Sequence, residues 1–141
     1  MKNTIDPNRA CSKITIINII VIIILELLPC GVVMKFANPN GIEKAFYSYF
    51  SLIPYGYSNV FPFLTALLSC IMLFTTIIHY IKNSLHILNA VLSCGAVFFS
   101  LLPVILGFDC SLISLIITFL LVVETIVTIH LTVCKISIMQ F

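Results

Sequence analysis

The chain has 141 residues, of which 61% are hydrophobic and only 9% are charged, and its formal net charge is +2. A soluble domain carries roughly 25% charged residues, so this composition excludes an ordinary water-soluble domain. The small net charge, without a basic tract, gives no indication of nucleic-acid binding. Together with a mean hydropathy of +1.21, the length predicts one small integral membrane domain, residues 1–141.

Four apolar runs are each long enough to cross a bilayer as a helix, which takes about 20 residues. They cover residues 14–34, 60–81, 85–106 and 112–134. Because lipid offers the backbone no hydrogen-bond partners, we expect helices even though the runs are rich in Ile and Val. The predicted fold class is therefore all-α, a membrane protein with four transmembrane helices in an antiparallel bundle.

The first run carries an acidic residue and a proline close together. Proline lacks the amide hydrogen and collides with the carbonyl four residues earlier, so we predict a helix kink at Pro29. Glu26 lies just before it, and Cys30 lies one turn beyond Glu26 on the same face.

The connection between the first two runs, residues 35–59, is predicted to contain a short interfacial helix. Asn40-Gly41 is interpreted as its start and Phe50 as its end. Tyr and Phe crowd this stretch, as they do in the interfacial belts of membrane proteins. Its tyrosines are candidate contact residues for a partner, namely Tyr47, Tyr49, Tyr55 and Tyr57.

Small and weakly polar residues recur at helical spacing in the second, third and fourth runs. Membrane helices pack through such residues, because apolar side chains gain little from meeting each other in lipid. The positions are Thr65, Ser69 and Thr76, then Asn89, Ser93, Ala96 and Ser100, then Ser111, Ser114, Thr118, Thr125, Thr128 and Thr132. We expect these stripes to face the interior of the bundle.

The fourth run carries a second acid, Glu124, on the flank of its polar stripe. With a rise of ~1.5 Å per residue, antiparallel helices would bring Glu124 within about 5 Å of the depth of Glu26. No Lys or Arg lies inside any run to neutralise the pair, so at least one carboxyl is expected to be protonated at neutral pH. Glu26 and Glu124 are either a proton- or cation-binding site or a pair of neutral acids that fix helix register.

Histidines and cysteines offer weaker candidates. His79, His86 and His130 all fall near one end of their helices, where they would be the ligands of a metal, but no zinc motif accompanies them. We therefore predict no metal and no cofactor. Cys30 and Cys110 share the outer side, where a disulfide is chemically permitted, and the sequence leaves their pairing open.

The distribution of basic residues predicts the orientation of the chain. Five basic residues fall on one side and only Lys35 and Lys44 on the other. The five are Lys2, Arg9, Lys13, Lys82 and Lys135. Both termini are therefore expected in the cytoplasm, with residues 35–59 and 107–111 outside.

Two segments carry a resemblance to known proteins. Residues 25–39, LELLPCGVVMKFANP, and residues 46–70, FYSYFSLIPYGYSNVFPFLTALLSC, resemble a group of small, uncharacterised bacterial four-helix membrane proteins. The resemblance covers the first half of the chain and implies a multi-pass protein of a bacterial plasma membrane, without a known activity. The small multidrug resistance transporters are similar in architecture, with four helices and an essential glutamate in the first, but this chain has a longer outer loop and a second glutamate.

Two functions follow as hypotheses. The first is a non-enzymatic accessory or interaction protein of the lipid bilayer, which contacts a second copy of itself or another membrane protein through residues 35–59. The second is a small proton-coupled transporter in which the embedded glutamates exchange protons for a substrate. An enzyme is not predicted, because no nucleophile–base pair or phosphate-binding loop is present.

Overall fold

The computed structural model describes residues 7–39, 41–52, 57–82 and 85–139, with side chains for all of them except residues 7–11, 38, 57–58 and 134–139. This part of the chain is mostly helical, with α1 at Pro7–Leu27, α2 at Tyr57–Lys82, α3 at His86–Ile105 and α4 at Leu112–Met139. Between α1 and α2 the chain forms the strands β1 (Val32–Asn38) and β2 (Gly41–Tyr47). The fold is thus helical with one small sheet, not purely helical.

Three of these helices, α2, α3 and α4, are long and apolar enough to cross a membrane within the described residues. Their bounds agree with the predicted runs to within a few residues, except that α4 continues beyond 134 to Met139. The predicted first span, 14–34, is wrong at both ends. Its helix begins at Pro7 and ends at Leu27, and residues 32–34 belong to β1.

The predicted kink at Pro29 is also wrong, because the helix ends before the proline. Leu28 is already outside α1, and its amide donates to the carbonyl of Leu25 over 3.2 Å, which tightens the last turn. The residue before a proline is disfavoured in the helical region, so the chain leaves the helix at this point instead of bending within it.

The predicted interfacial helix in residues 35–59 is replaced by an antiparallel β-hairpin. Asn38 is paired with Gly41, and the register continues to Val32 opposite Tyr47. Gly41 has a φ of 135°, a conformation that side chains rarely allow. Asn38 and Gly41 are the last pair of the ladder, so Gly41, which we expected at the start of a helix, is instead the first residue of a strand.

The helices contact one another in sequence, and α1 also contacts α4, so each helix touches two others. The predicted polar stripes do face the interior. Buried among them are Thr65, Ser69, Thr76, Asn89, Ser93, Ala96, Ser100, Ser114, Thr118, Thr128 and Thr132. An apolar core of Ile19, Ile22, Met72, Ile117 and Leu121 lies among the same helices. Most of the large exposed side chains are Ile, Leu, Val and Phe.

Gly31, just before β1, allows the close approach of Tyr49, which lies just after β2. A Cβ atom at Gly31 would lie 2.6 Å from Cδ2 of the Tyr49 ring. Because that ring is only 2% exposed, it has no space into which to move. We expect Gly31→Ala to lower the free energy of unfolding by about 1–3 kcal/mol, the usual range for overpacking.

The matched control is Gly95→Ala in α3, where the new Cβ would lie 3.6 Å from Leu68, an ordinary contact. Alanine also favours the helix by roughly 0.5–1 kcal/mol over glycine. Reversible unfolding in mixed micelles measures both variants. Equal stability of the two would show that the space at Gly31 is not needed.

Candidate functional site

Glu26 lies in the last turn of α1 and has no exposed surface. Its Oε1 atom accepts a hydrogen bond of 2.8 Å from the hydroxyl of Ser69 in α2. Its Oε2 atom has no hydrogen-bond partner among the described residues, and within that part of the chain no ion pair includes Glu26. The surroundings therefore provide this buried carboxyl with one neutral donor and no cation.

Tyr49 closes the same end of the helices. Its backbone amide donates to the carbonyl of Glu26 over 3.0 Å, and its hydroxyl donates to the Ser114 hydroxyl of α4 over 3.0 Å. Burial raises the pKa of Tyr49 to about 12, so the hydroxyl keeps its proton at physiological pH. The prediction that Tyr49 is a surface contact residue is wrong, because its side chain is part of the core.

The other tyrosines of this region differ in their placement. Tyr47 is half-buried and packs against the core. Tyr57 is the first residue of α2, with a side chain outside the described part of the chain, and Tyr55 lies outside the described residues altogether. Their role as contact residues stays a prediction.

An ion cluster holds the hairpin to the start of α4. Lys35 and Lys44 lie directly opposite each other in the β1–β2 register, and both form an ion pair with Asp109. Its carboxylate oxygens lie 3.0 Å from Lys35 Nζ and 3.2 Å from Lys44 Nζ. Hydrogen bonds from the two lysines keep the pKa of Asp109 below its ordinary value. The aspartate thus offsets the repulsion between two facing lysines.

A groove of about 600 Å³ lies between the hairpin and the amino end of α4. Phe46 and Leu112 line its apolar part, and Lys44 and Asp109 line its charged part. Two free thiols, Cys30 and Cys110, also face it. Burial raises the pKa of the Cys110 thiol, and the neighbouring Asp109 charge adds to that effect.

Glu124 is buried in α4 and is bound from two sides. Its Oε2 atom accepts a hydrogen bond of 2.8 Å from the side-chain amide of Asn18 in α1. The Thr15 side chain of α1 is also hydrogen-bonded to the carboxyl. The Thr128 hydroxyl donates to the backbone carbonyl of Glu124 over 2.8 Å, and its oxygen lies 3.4 Å from Oε1. Within the described part of the chain Glu124 has no ion-pair partner.

The two glutamates do not share a site, contrary to the expected common depth. Glu26 lies eight residues after Asn18, which binds Glu124, and eight residues correspond to a rise of about 12 Å along α1. Ile19 and Ile22 are buried between these levels. The expectation failed because α1 ends at Leu27, so Glu26 lies near the end of its helix.

A small polar cavity of about 20 Å³ lies near the end of the molecule opposite the hairpin. Its lining includes Thr15 of α1, Thr76 and His79 of α2, His86 and Asn89 of α3 and Thr128 of α4. The rings of His79 and His86 are in contact, with centroids 3.8 Å apart. His130 is exposed and does not line this cavity. Among the described residues, no three His, Cys, Asp or Glu side chains are grouped as metal ligands.

Three partner residues were missed by the sequence analysis, and each had a signal. Ser69 belongs to a stripe that was attributed to packing. Asn18 follows Thr15 at helical spacing, so the first run also has a polar stripe. Asp109 lies in the predicted outer turn 107–111, on the same side as Lys35 and Lys44. Opposite charges on one side predict an ion pair between them.

No protein-family model matches the chain, and the comparisons with curated proteins and with solved structures found no match. The candidate sites therefore rest on the geometry of this chain alone.

Ser69 is the side chain on which the hydrogen bonding of Glu26 depends. Ser69→Ala would leave both carboxyl oxygens of Glu26 buried without a partner, and we expect a loss of about 1–3 kcal/mol in the free energy of unfolding. Ser93→Ala is the matched control, since Ser93 is equally buried but donates to the carbonyl of Ala90. Unfolding in mixed micelles compares the two, and a smaller loss for Ser69→Ala than for Ser93→Ala would contradict the expectation.

Proposed function

We propose that the chain is a multi-pass protein of a bacterial plasma membrane, with four spanning helices in an antiparallel bundle. The distribution of side chains supports this proposal, because polar residues are buried and large apolar residues are exposed. The exposed side of α1 follows the same rule, with Ile14, Ile17 and Ile24 more than half exposed. The part of α1 that follows its two basic residues, Arg9 and Lys13, is residues 14–27, which is about 21 Å long. Long basic side chains extend to the headgroups from such positions, which would complete the ~30 Å span.

The excess of basic residues near the two termini and the α2–α3 connection supports a cytoplasmic location for both ends. The hairpin, the ion cluster and the groove then lie on the outer side. They form the largest folded part of the protein outside the bilayer.

We propose that the protein acts without catalysis, as an accessory or interaction protein that holds a partner membrane protein at the hairpin groove. The observation that carries this proposal is the pair of exposed apolar side chains that line the groove, where Phe46 is 55% and Leu112 80% exposed. Phe46 and Leu112 form an apolar surface in the groove. The charged groups beside it, Lys44 and Asp109, are already paired with each other. A partner that contributes one or two apolar side chains would fit this surface.

The sheet offers a second means of attachment. β1 pairs with one edge of β2, and no other strand of the described part pairs with its remaining edge. A free edge carries backbone donors and acceptors that an extended segment of a partner is able to pair with. Because Tyr49 and the Lys–Asp cluster fix the hairpin to the helices, little ordering is required on binding.

Site-directed photo-crosslinking tests this function in native membranes. A benzophenone amino acid replaces Phe46, or replaces Ile42 as the matched control. Both positions are exposed and lie on the same face of β2, but only Phe46 lines the groove. We expect one discrete protein adduct from position 46 and none from position 42.

The mass of the adduct identifies its source, since a doubled mass means a second copy and any other discrete mass means a different membrane protein. Leu112→Asn, on the opposite wall of the groove, should lower the yield roughly tenfold, as expected of a hot-spot contact. Adducts with lipid alone, or identical adducts from both positions, would contradict the proposal.

The second candidate is a small proton-coupled transporter. It is favoured by the two embedded carboxyls, Glu26 and Glu124, neither of which has an ion-pair partner in the described part of the chain. Intramembrane acids are often functional. In this mechanism, substrate and proton would compete for the same carboxyl.

Proteoliposomes loaded with a pH indicator test the transporter, with Na⁺, K⁺ and ethidium as probes. A transporter should release protons when a probe cation is added, and both Glu26→Gln and Glu124→Gln should abolish the signal without unfolding the protein. If no probe moves protons across the unaltered protein, the accessory function is favoured.

A further inference from the structure

The small cavity near Glu124 is lined by two buried oxygen atoms that accept no hydrogen bond from the described part of the chain. They are the Oγ1 atom of Thr15 and the Oδ1 atom of Asn89. Both residues are more than nine-tenths buried, and both line the cavity. A buried polar atom without a partner is costly, so such atoms are usually satisfied by ordered water.

The size of the cavity fits a single water molecule. A water needs roughly 10–15 Å³ of accessible space and two to four polar partners. The cavity offers about 20 Å³, and Thr15 and Asn89 provide two polar partners, of which the hydroxyl both donates and accepts. The Asn89 amide donates to Thr76 over 3.3 Å, which fixes the side chain and directs Oδ1 as the remaining acceptor.

Two residues of the lining contact the acid in α4. The Thr15 side chain is hydrogen-bonded to the Glu124 carboxyl, and the Thr128 hydroxyl lies 3.4 Å from Glu124 Oε1. The lining also includes the paired rings of His79 and His86. Both histidines are only half-buried, so they border the solvent on that side of the molecule.

We propose that one water bound between Thr15 and Asn89 connects Glu124 to the His79–His86 pair, so that Glu124 exchanges its proton with the aqueous phase on that side only. The carboxylic acid gives its proton to the Thr15 oxygen while the Thr15 hydroxyl gives its own proton to the water. The water gives one of its protons to an imidazole, so that the O–H bond of the acid breaks and an N–H bond forms. The imidazole then releases its proton to solvent. This path is independent of the hairpin groove and of any partner bound there.

The groups that face the path come from all four helices. Among the described residues, α2 and α3 contribute the titratable His79 and His86, α1 contributes the neutral Ser12 and Thr15, and α4 contributes neutral threonines besides Glu124 itself. Glu26 is excluded from the path, because the buried Ile19 and Ile22 separate its level from that of Glu124.

Rapid-mixing infrared spectroscopy tests the path in the full chain, reconstituted in phosphatidylcholine–phosphatidylglycerol vesicles. Near neutral pH, where a buried carboxyl without an ion pair is expected to keep its proton, the carboxyl gives a C=O band that shifts when hydrogen is exchanged for deuterium. Glu124→Gln identifies the band. Thr15→Val, which keeps the shape of the side chain but removes the hydroxyl, should slow the exchange roughly tenfold, the factor for one lost hydrogen bond.

Thr65→Val is the matched control. Thr65 is just as buried, but its hydroxyl donates to the carbonyl of Phe61 and does not line the cavity. Its exchange should equal that of the unaltered protein. Asn89→Leu repeats the test with a second cavity residue, and unchanged exchange in both cavity variants overturns the path.

A measurement on the unaltered protein detects the water itself. Magnetisation transfer from water to the side-chain amide of Asn89, in isotope-labelled protein in nanodiscs, should give a long-lived contact with the sign of a bound water. A dry cavity gives no such contact, and that result also overturns the proposal.

Discussion

The hydroxyl, amide and carboxyl groups between the helices are the interactions on which the rest of the structure depends. Apolar side chains gain little from leaving lipid for another apolar surface, so they do not specify which helix faces meet. Directed contacts do, such as the 2.6 Å hydrogen bond between Ser100 of α3 and Thr118 of α4. Glu26 with Ser69 and Glu124 with Asn18 play the same role for α1, which they join to α2 and α4.

The position of the hairpin at the outer end of the molecule depends on the contacts of Tyr49. Tyr49 binds Ser114 of α4 and the backbone of Glu26, and its ring occupies the space that Gly31 leaves open. Ser111 reinforces the same junction, since its hydroxyl donates to the carbonyl of Gly31 over 2.9 Å and accepts the amide of Ser114 at the start of α4. The hairpin is thus fixed at its open end, where both strands join the helices, and its exposed residues are held on a rigid base.

Hydropathy and helical spacing predicted the parts of the fold that depend on composition. The bounds of α2 and α3 and the buried faces of the polar stripes follow directly from the sequence. The end of α1 was not predicted, because the apolar run continues through Pro29 into β1 and hydropathy does not distinguish a buried strand from a helix. The hairpin was not predicted either, because the contacts that define it, seven β1–β2 pairs and the two lysines at Asp109, join residues that a local sequence pattern does not bring together.

The candidate sites were predicted as residues but not as an arrangement. Glu26 and Glu124 were identified because acids in apolar runs are rare. Their partners depend on which helix faces meet, and a single sequence does not determine that. The observed arrangement divides the interior into two polar regions, one around Glu26 and Tyr49 and the other around Glu124 and the histidines. Ile19, Ile22 and Leu121 are buried in the layer between them.

This apolar layer constrains any function of the two acids. A proton needs a chain of donors and acceptors, and the hydrogen bonds of Glu26 to Ser69 and of Glu124 to Asn18 do not connect the two acids to each other. Transport by both acids would therefore require the layer to open, whereas binding at the hairpin groove requires no such motion.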